Sequence, residues 1–218
     1  MEEEVSPESK AHYEKIAKEL KAKKVPIQGI GQFAYDWNND IIYTNGKPNA
    51  TFTSHEMGHR HYVKDKAKTI GDKVGKAAHK YYKATGGMHN FATVSPIAGI
   101  AAGIHSGKKK YEKEKKGEKE SKWNRHKGWA IPLAISAPAL LSEGLASKHG
   151  LKILKKSGAT KKFLNKSKKD LAKAWGTYGS VTAANAGTGE LSRALSYKYY
   201  KDNDYESGKK KKNKKKED

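Results

Sequence analysis

The sequence predicts a mainly α fold with a small β-hairpin or sheet, an α+β arrangement, on three observations. Apolar residues recur at helical spacing near both ends of the chain. A β-prone stretch punctuated by glycine occupies 26–44, and two apolar segments rich in Gly and Ala, 91–104 and 129–141, stand out from an otherwise polar chain. With 218 residues the chain is long enough to bury a core as one domain, expected over 1–203, followed by a disordered lysine-rich tail over 204–218.

Ser6-Pro7-Glu8 reads as a helix start, with Ser as cap and Pro at the first helical position. Ala11, Ile16, Ala17 and Leu20 then follow at helical spacing to about Lys24. Gly29 and Gly31 separate short β-prone pieces, and Asn38-Asn39-Asp40 is a turn before Ile41-Ile42-Tyr43-Thr44, so a hairpin or sheet edge is expected. The run 45–49 breaks the strand, and a helix is expected over about 50–68. The segments 91–104 and 129–141 are shorter than the roughly 20 residues that cross a bilayer as a regular helix. They read as two buried core helices or, alternatively, as a membrane-inserted hairpin with a lysine-rich loop, 107–127, at its tip. Helical spacing returns from Lys152 through Leu154, Phe163, Leu164, Leu171, Trp175 and Tyr178 to Leu191, Ala194 and Leu195.

The formal charge is +22, and half of it sits in two stretches: 107–127, with nine Lys and one Arg against four Glu, and 208–218, with seven Lys against Glu217 and Asp218. Such blocks favour solvation and loose, nonspecific attraction to nucleic acid or anionic lipid. Cysteine is absent, which excludes disulfides and thiolate metal ligation, so any metal must be held by imidazole and carboxylate. The first five residues carry three Glu and no apolar run and do not read as a secretory signal; an intracellular place, cytoplasmic or membrane-associated, is expected.

The segment His55-Glu56-Met57-Gly58-His59 carries the chemistry. Residues four apart share a helix face, so the two imidazoles converge on one cation, Zn2+ being the expected ion, while Glu56 points about a quarter turn away, where a general base can reach a metal-bound water. Nine His and fifteen Glu would produce roughly 0.03 such matches per shuffled chain, so chance alone is a poor account of it. The expected activity is hydrolysis of a peptide bond in a protein or peptide substrate. A catalytic zinc site normally has a third protein ligand. Downstream candidates are His61, Asp65, His79, His89, His105, His126, Glu143, His149 and Glu190. His61, six residues from His55, lies roughly on the opposite side of the helix. Tyr62 and Asp65 occupy the positions at which a three-histidine motif has Gly and His, which removes that class. Glu143 is the strongest of the rest, because it interrupts an apolar run over 138–147, where a carboxylate is costly without a compensating cation or hydrogen bond. It also fits the first turn of a helix, a favourable place for a carboxylate without any metal.

His55-Glu56-Met57-Gly58-His59, followed at long range by Glu143-Gly144-Leu145-Ala146-Ser147, resembles the gluzincin peptidases, in particular the neutral zinc metallopeptidases related to the HtpX-type enzymes. The resemblance covers roughly 50–180. It implies a zincin-like fold in which His55, His59 and Glu143 hold zinc, Glu56 is the base and apolar helices lie between the ligands. Ser147 stands where many relatives carry an acidic residue that orients a ligand. Thr177-Tyr178 is similar to a later part of the pattern and implies Tyr178 as a hydrogen-bond donor to the oxyanion, beside its plain reading as a packed helix tyrosine. The weak apolar segments and high lysine content are those of a divergent member, such as one encoded by a phage or other mobile element, for which a virion-associated place is implied. A competing reading is a basic structural or packaging protein that associates with nucleic acid or anionic membrane, with a structural metal or none.

Overall fold

The structure, a computed structural model, describes residues 5–30, 32–64, 69–84 and 88–217, the side chains at 82–83, 88–92 and 205–217 excepted. Among the described residues the chain forms α1 (Pro7–Ala22), β1 (Ile27–Gly29), β2 (Ala34–Asp36), β3 (Ile41–Thr44), α2 (Ala50–Val63), α3 (Ile70–Ala84), α4 (Met88–Lys115), α5 (Lys122–Lys156) and α6 (Lys161–Glu217). This is a mainly α fold with one small sheet. It divides into two compact units, the first made of Met1–Ala84 and Pro138–Tyr178, the second of Thr85–Ala137 and Gly179–Asp218. The single domain expected over 1–203 does not mark that division, which falls inside α5 and α6.

In the first unit, Ser6 caps α1 by accepting the Ser9 N–H at 3.2 Å, and Pro7 takes the first helical position. The helix ends in a paired closure in which the Val25 N–H reaches Leu20 O at 2.9 Å and the Lys24 N–H reaches Lys21 O at 3.0 Å. That closure needs a left-handed residue. Gly117 and Gly158 supply it where α4 and α5 end, but after α1 the residue is Lys24, at φ 56°. Strand β3 is central: β1 pairs with it in parallel and β2 antiparallel, with Ile42 opposite both Ile27 and Tyr35. The turn between β2 and β3 is built by Asp36, whose carboxylate accepts from the backbone of Asn38 and Asn39. Asp40, next along, receives a bidentate grip from Arg60 on α2 at 2.9 and 3.0 Å. The apolar core joins Ile16 and Leu20 of α1, Tyr35 and Ile42 of the sheet, Tyr62 and Val63 of α2, and Leu154 and Phe163 from the later helices.

Helix α2 is buried on almost every side although it is largely polar. Asn49 caps it by accepting the Phe52 N–H at 3.2 Å, and the Ser9 hydroxyl of α1 receives the Ala50 N–H at 3.0 Å. It stops at Val63, short of the expected 68; residues 65–68 lie outside the described ones. Helix α3 has no counterpart in the sequence reading. The expected loop 107–127 is mostly helix, with only 116–121 between α4 and α5. Lysine is a good helix former, and Lys108 and Lys109 stand four and three residues before Glu112, at helical pairing distance. The backbone of α6 likewise continues through 204–217, where a disordered tail is expected.

The second unit packs by a different rule. Pro132 apart, its buried side chains are small or polar: Ser95 and Ser136, whose hydroxyls lie 3.3 Å apart, Ser106, Asn124, Thr182, Asn185 and Ser196. Glycines bring its backbones together: a Cβ on Gly103 would fall on the carbonyl of Gly189, and one on Gly189 on that of Gly128. The large apolar residues face outward, Ile97 at 61% exposure and Leu191 at 60%, with Val94, Ile104, Leu133 and Leu195 also exposed. The expected burial of 91–104 and 129–141 as core helices is therefore corrected for the large aliphatic side chains described, Val94, Ile97, Ile100, Ile104, Leu133 and Leu141, while the side chains at 91 and 92 lie outside the described ones. Beside Pro132 and Ala139, it is their Ser and Gly residues that pack inside, because only small side chains fit where helix backbones approach so closely.

Candidate metal centre

The histidine pair reaches Glu143 because α2 and α5 touch backbone to backbone. A Cβ on Gly58 would fall on the carbonyl of Ala146, and one on Gly150 would lie 2.9 Å from both the His55 nitrogen and the Ser54 carbonyl oxygen. Gly58, the fourth residue of the motif, is thus a steric requirement of this crossing. With the helices so close, the two imidazoles of α2 and the carboxylate of α5, one turn before Ala146, meet across the contact.

Glu143 Oε2 lies 3.0 Å from His55 Nε2 and Oε1 lies 3.5 Å from His59 Nε2. The two rings stand edge to face with centroids 4.9 Å apart. One ligand atom from each residue lies within 4.8 Å of the other two. A tetrahedral ion with bonds of about 2.0–2.2 Å holds its ligand atoms about 3.4 Å apart. The two carboxylate–imidazole separations, one to each oxygen of Glu143, bracket that edge length, so the donor set has the kind and spacing of side chains that zinc takes.

Both histidines turn Nε2 inward because Nδ1 is held elsewhere. His55 Nδ1 lies 3.1 Å from Ser147 Oγ, and His59 Nδ1 lies 2.6 Å from the Tyr62 hydroxyl. Tyr62 donates to the Ser142 carbonyl at 3.1 Å, so its oxygen is free to accept from His59 Nδ1–H, which directs Nε2 toward Glu143. The Ser142 hydroxyl joins this network at 2.8 Å from Tyr62 and 3.1 Å from Nδ1 of buried His79. Hydroxyls therefore do the orienting that a carboxylate does in many zinc sites.

Burial alone would raise the Glu143 carboxyl, but the charge of His59 and the hydrogen bonds of both histidines outweigh it and hold the group well below the usual carboxylate range. For His55, burial favours the neutral form, yet the Glu143 hydrogen bond and the charges of Glu56 and Glu143 together raise its pKa. His55 and Glu143 thus form a buried ion pair. Burial also pushes the Tyr62 phenol far above its ordinary range, helped by the charges of Glu143 and Glu56, so it stays a neutral donor.

The structure brings together His55, His59 and Glu143, with Glu56 buried on the same turn of α2. Tyr178 is half-buried on α6, the last residue of the first unit; the tyrosine seated on a motif histidine is Tyr62. Of the other ligand candidates, His61 and His149 meet elsewhere in the first unit, and His105, His126 and Glu190 belong to the second. Asp65 and the side chain of His89 lie outside the described residues. His79, a ligand candidate, instead meets Ser142 behind the centre; the sequence reading missed Tyr62 and Ser142, and the signal for Tyr62 was its place one helical turn after His59. Comparison with family models, curated proteins and solved structures finds no match to the chain.

Proposed function

We propose that the protein is a zinc-dependent peptidase of the gluzincin kind, in which His55, His59 and Glu143 hold the ion and Glu56 is the general base. The observation that carries this reading is the convergence of two imidazoles and a carboxylate from two helices, each histidine fixed from behind by a hydroxyl. Bound there, zinc would supply a Lewis acid for the scissile carbonyl and a water whose pKa falls to about 7. Glu56, buried on the same turn of α2 as His55, would be the group that accepts a proton from such a water and returns it to the leaving amine. Two carboxylates, Glu56 and Glu143, balance the charge of a divalent ion, which makes their joint burial tolerable. The role of Tyr178 as an oxyanion donor rests on the resemblance alone.

His55, Glu56, His59 and Glu143 are 8%, 7%, 5% and 9% exposed, so a peptide reaches Glu56 only after local opening. Zinc content is for that reason the primary test. Purified protein is expected to carry zinc that His55→Ala or His59→Ala removes, while Glu56→Gln keeps the zinc and loses hydrolysis of a casein substrate. Protein that holds no zinc and takes up none when it is added overturns the reading.

A second reading, association with a polyanion, is favoured by one feature of the second unit. Lys108, Lys110 and Lys201 lie over the rings of Tyr197 and Tyr200 at 4.0 to 5.7 Å, and the same helices α4 and α6 carry exposed apolar residues. An anionic lipid surface suits that mixture better than nucleic acid, and would make the peptidase membrane-associated. Sedimentation with anionic but not neutral vesicles, weakening with salt, is the expected result; equal binding to duplex DNA favours the packaging alternative.

A further inference from the structure

Helices α2 and α5 each carry a second metal-binding side chain beyond the centre described above. His61 follows His59 by two residues and His149 follows Glu143 by six, and α3 brings Asp72 to both. His149 Nε2 lies 2.8 Å from Asp72 Oδ1, the rings of His61 and His149 have centroids 4.4 Å apart, and one ligand atom from each of the three residues lies within 4.8 Å of the other two. Asp72 is fixed by the start of α3: its Oδ2 accepts the Thr69 N–H at 3.1 Å, and its own N–H donates to Thr69 Oγ1 at 3.1 Å. One carboxylate oxygen is committed to that cap, and the other is aimed at the histidines.

We propose that His61, Asp72 and His149 form a second binding site for a divalent transition-metal cation of the zinc type, open to a small anion as a further ligand. Two imidazoles and one carboxylate suit such an ion, whereas calcium and magnesium favour oxygen ligands throughout. An ion pair between His149 and Asp72 accounts for the 2.8 Å contact but leaves unexplained the imidazole of His61 laid against that of His149. Neutral imidazole is the form that ligates metal. Burial and then the charge of His61 depress the His149 pKa against the pull of Asp72, in the same sense.

A cavity of about 310 Å3 is lined by all three residues and by Lys148, Lys152 and Lys156. The remaining coordination positions would therefore face a basic pocket, where water or an anion such as phosphate completes the shell. The ring of Tyr62 lies 5.8 Å from that of His59 and 6.3 Å from that of His149, which puts one aromatic side chain between the two clusters. The proposal does not depend on the peptidase reading.

The test uses the full chain, stripped of metal and titrated with Co2+ while visible absorption and bound metal are followed. Two equivalents are expected, one lost in His61→Gln and in His149→Gln, the other lost in His59→Gln, with far-ultraviolet circular dichroism unchanged. Asp72→Asn, which keeps an oxygen for the Thr69 cap, is expected to weaken the second site at least tenfold. A single equivalent that His61→Gln removes and His59→Gln leaves would sink the first centre and uphold this one. Two equivalents in the His61→Gln/His149→Gln double variant, or one that only His59→Gln removes, overturns the proposal.

Discussion

The two units of the chain bury opposite kinds of residue. The first buries Leu20, Ile42, Tyr62 and Leu154 in an apolar core, and His55, His59 and Glu143 are buried in the same unit. The second puts Ser95, Ser136 and Gly189 inside and leaves Ile97, Leu191 and Leu195 outside. In the first, removal of apolar surface from water stabilises the fold at about 25 cal/mol per Å2. In the second that gain is small, and close backbone contact and hydroxyl hydrogen bonds hold the helices, as they do where the surroundings are themselves apolar. Buried polarity thus has two meanings here. In α2 it builds a site, and in α4 to α6 it allows close approach.

The sharpest way to break this contrast is to put a methyl group at each close approach. Gly58→Ala is expected to cost about 3 kcal/mol or more and to abolish zinc binding, because the Cβ meets the Ala146 carbonyl. Gly189→Ala should disrupt the second unit comparably, through the Gly128 carbonyl, yet leave the zinc stoichiometry intact. Urea unfolding with metal analysis reads both, and zinc loss in Gly189→Ala would show that the contrast is false. A smaller effect separates the faces of the second unit. Ser136→Leu should destabilise by about 2 kcal/mol and Leu191→Ser by less than about 0.5 kcal/mol, and the reverse order would mean that the outward residues are the packed ones.

The smallest effect sharpens the picture of the first unit. Burial raises the Asp40 carboxyl, but the hydrogen bonds of Arg60 and Tyr35 and the Arg60 charge hold it below its ordinary value. A lowered folded pKa means that this pair stabilises the fold above about pH 4 and stops doing so as the pH falls through the folded value. Asp40→Asn is expected to lose about 1 kcal/mol at pH 7 and nothing near pH 2, measured as the difference in urea midpoint from the parent protein. A difference that persists at pH 2 would assign the loss to packing.

Much of the candidate site could be read from the sequence, because its logic is local. Four-residue spacing puts His55 and His59 on one face, and a lone carboxylate in an apolar run marked Glu143. Gly58 gave no such sign, since its reason lies on α5, and Ser142 and His79 meet Tyr62 only through tertiary packing. The β2–β3 turn was legible at Asn38-Asn39-Asp40, whereas the parallel pairing of β1 with β3 is nonlocal and left no turn signature. The lysine-rich run 107–127 was expected to be a loop, yet Lys113 and Lys115 close the last turn of α4. The packing of the second unit was misread because apolar residues were expected to mark its inside.

Glu143 meets His55 from 88 residues away, and the whole of Thr85–Ala137 lies in the chain between them. Joining the ends of so long a segment costs about 4 kcal/mol in chain entropy. An ion seated on both residues would act as a reversible cross-link, a stand-in for a disulfide in a protein without cysteine. Chelation would then do more than stop chemistry: it would unclasp the ends of that segment, and amide exchange across the α2–α5 crossing would quicken.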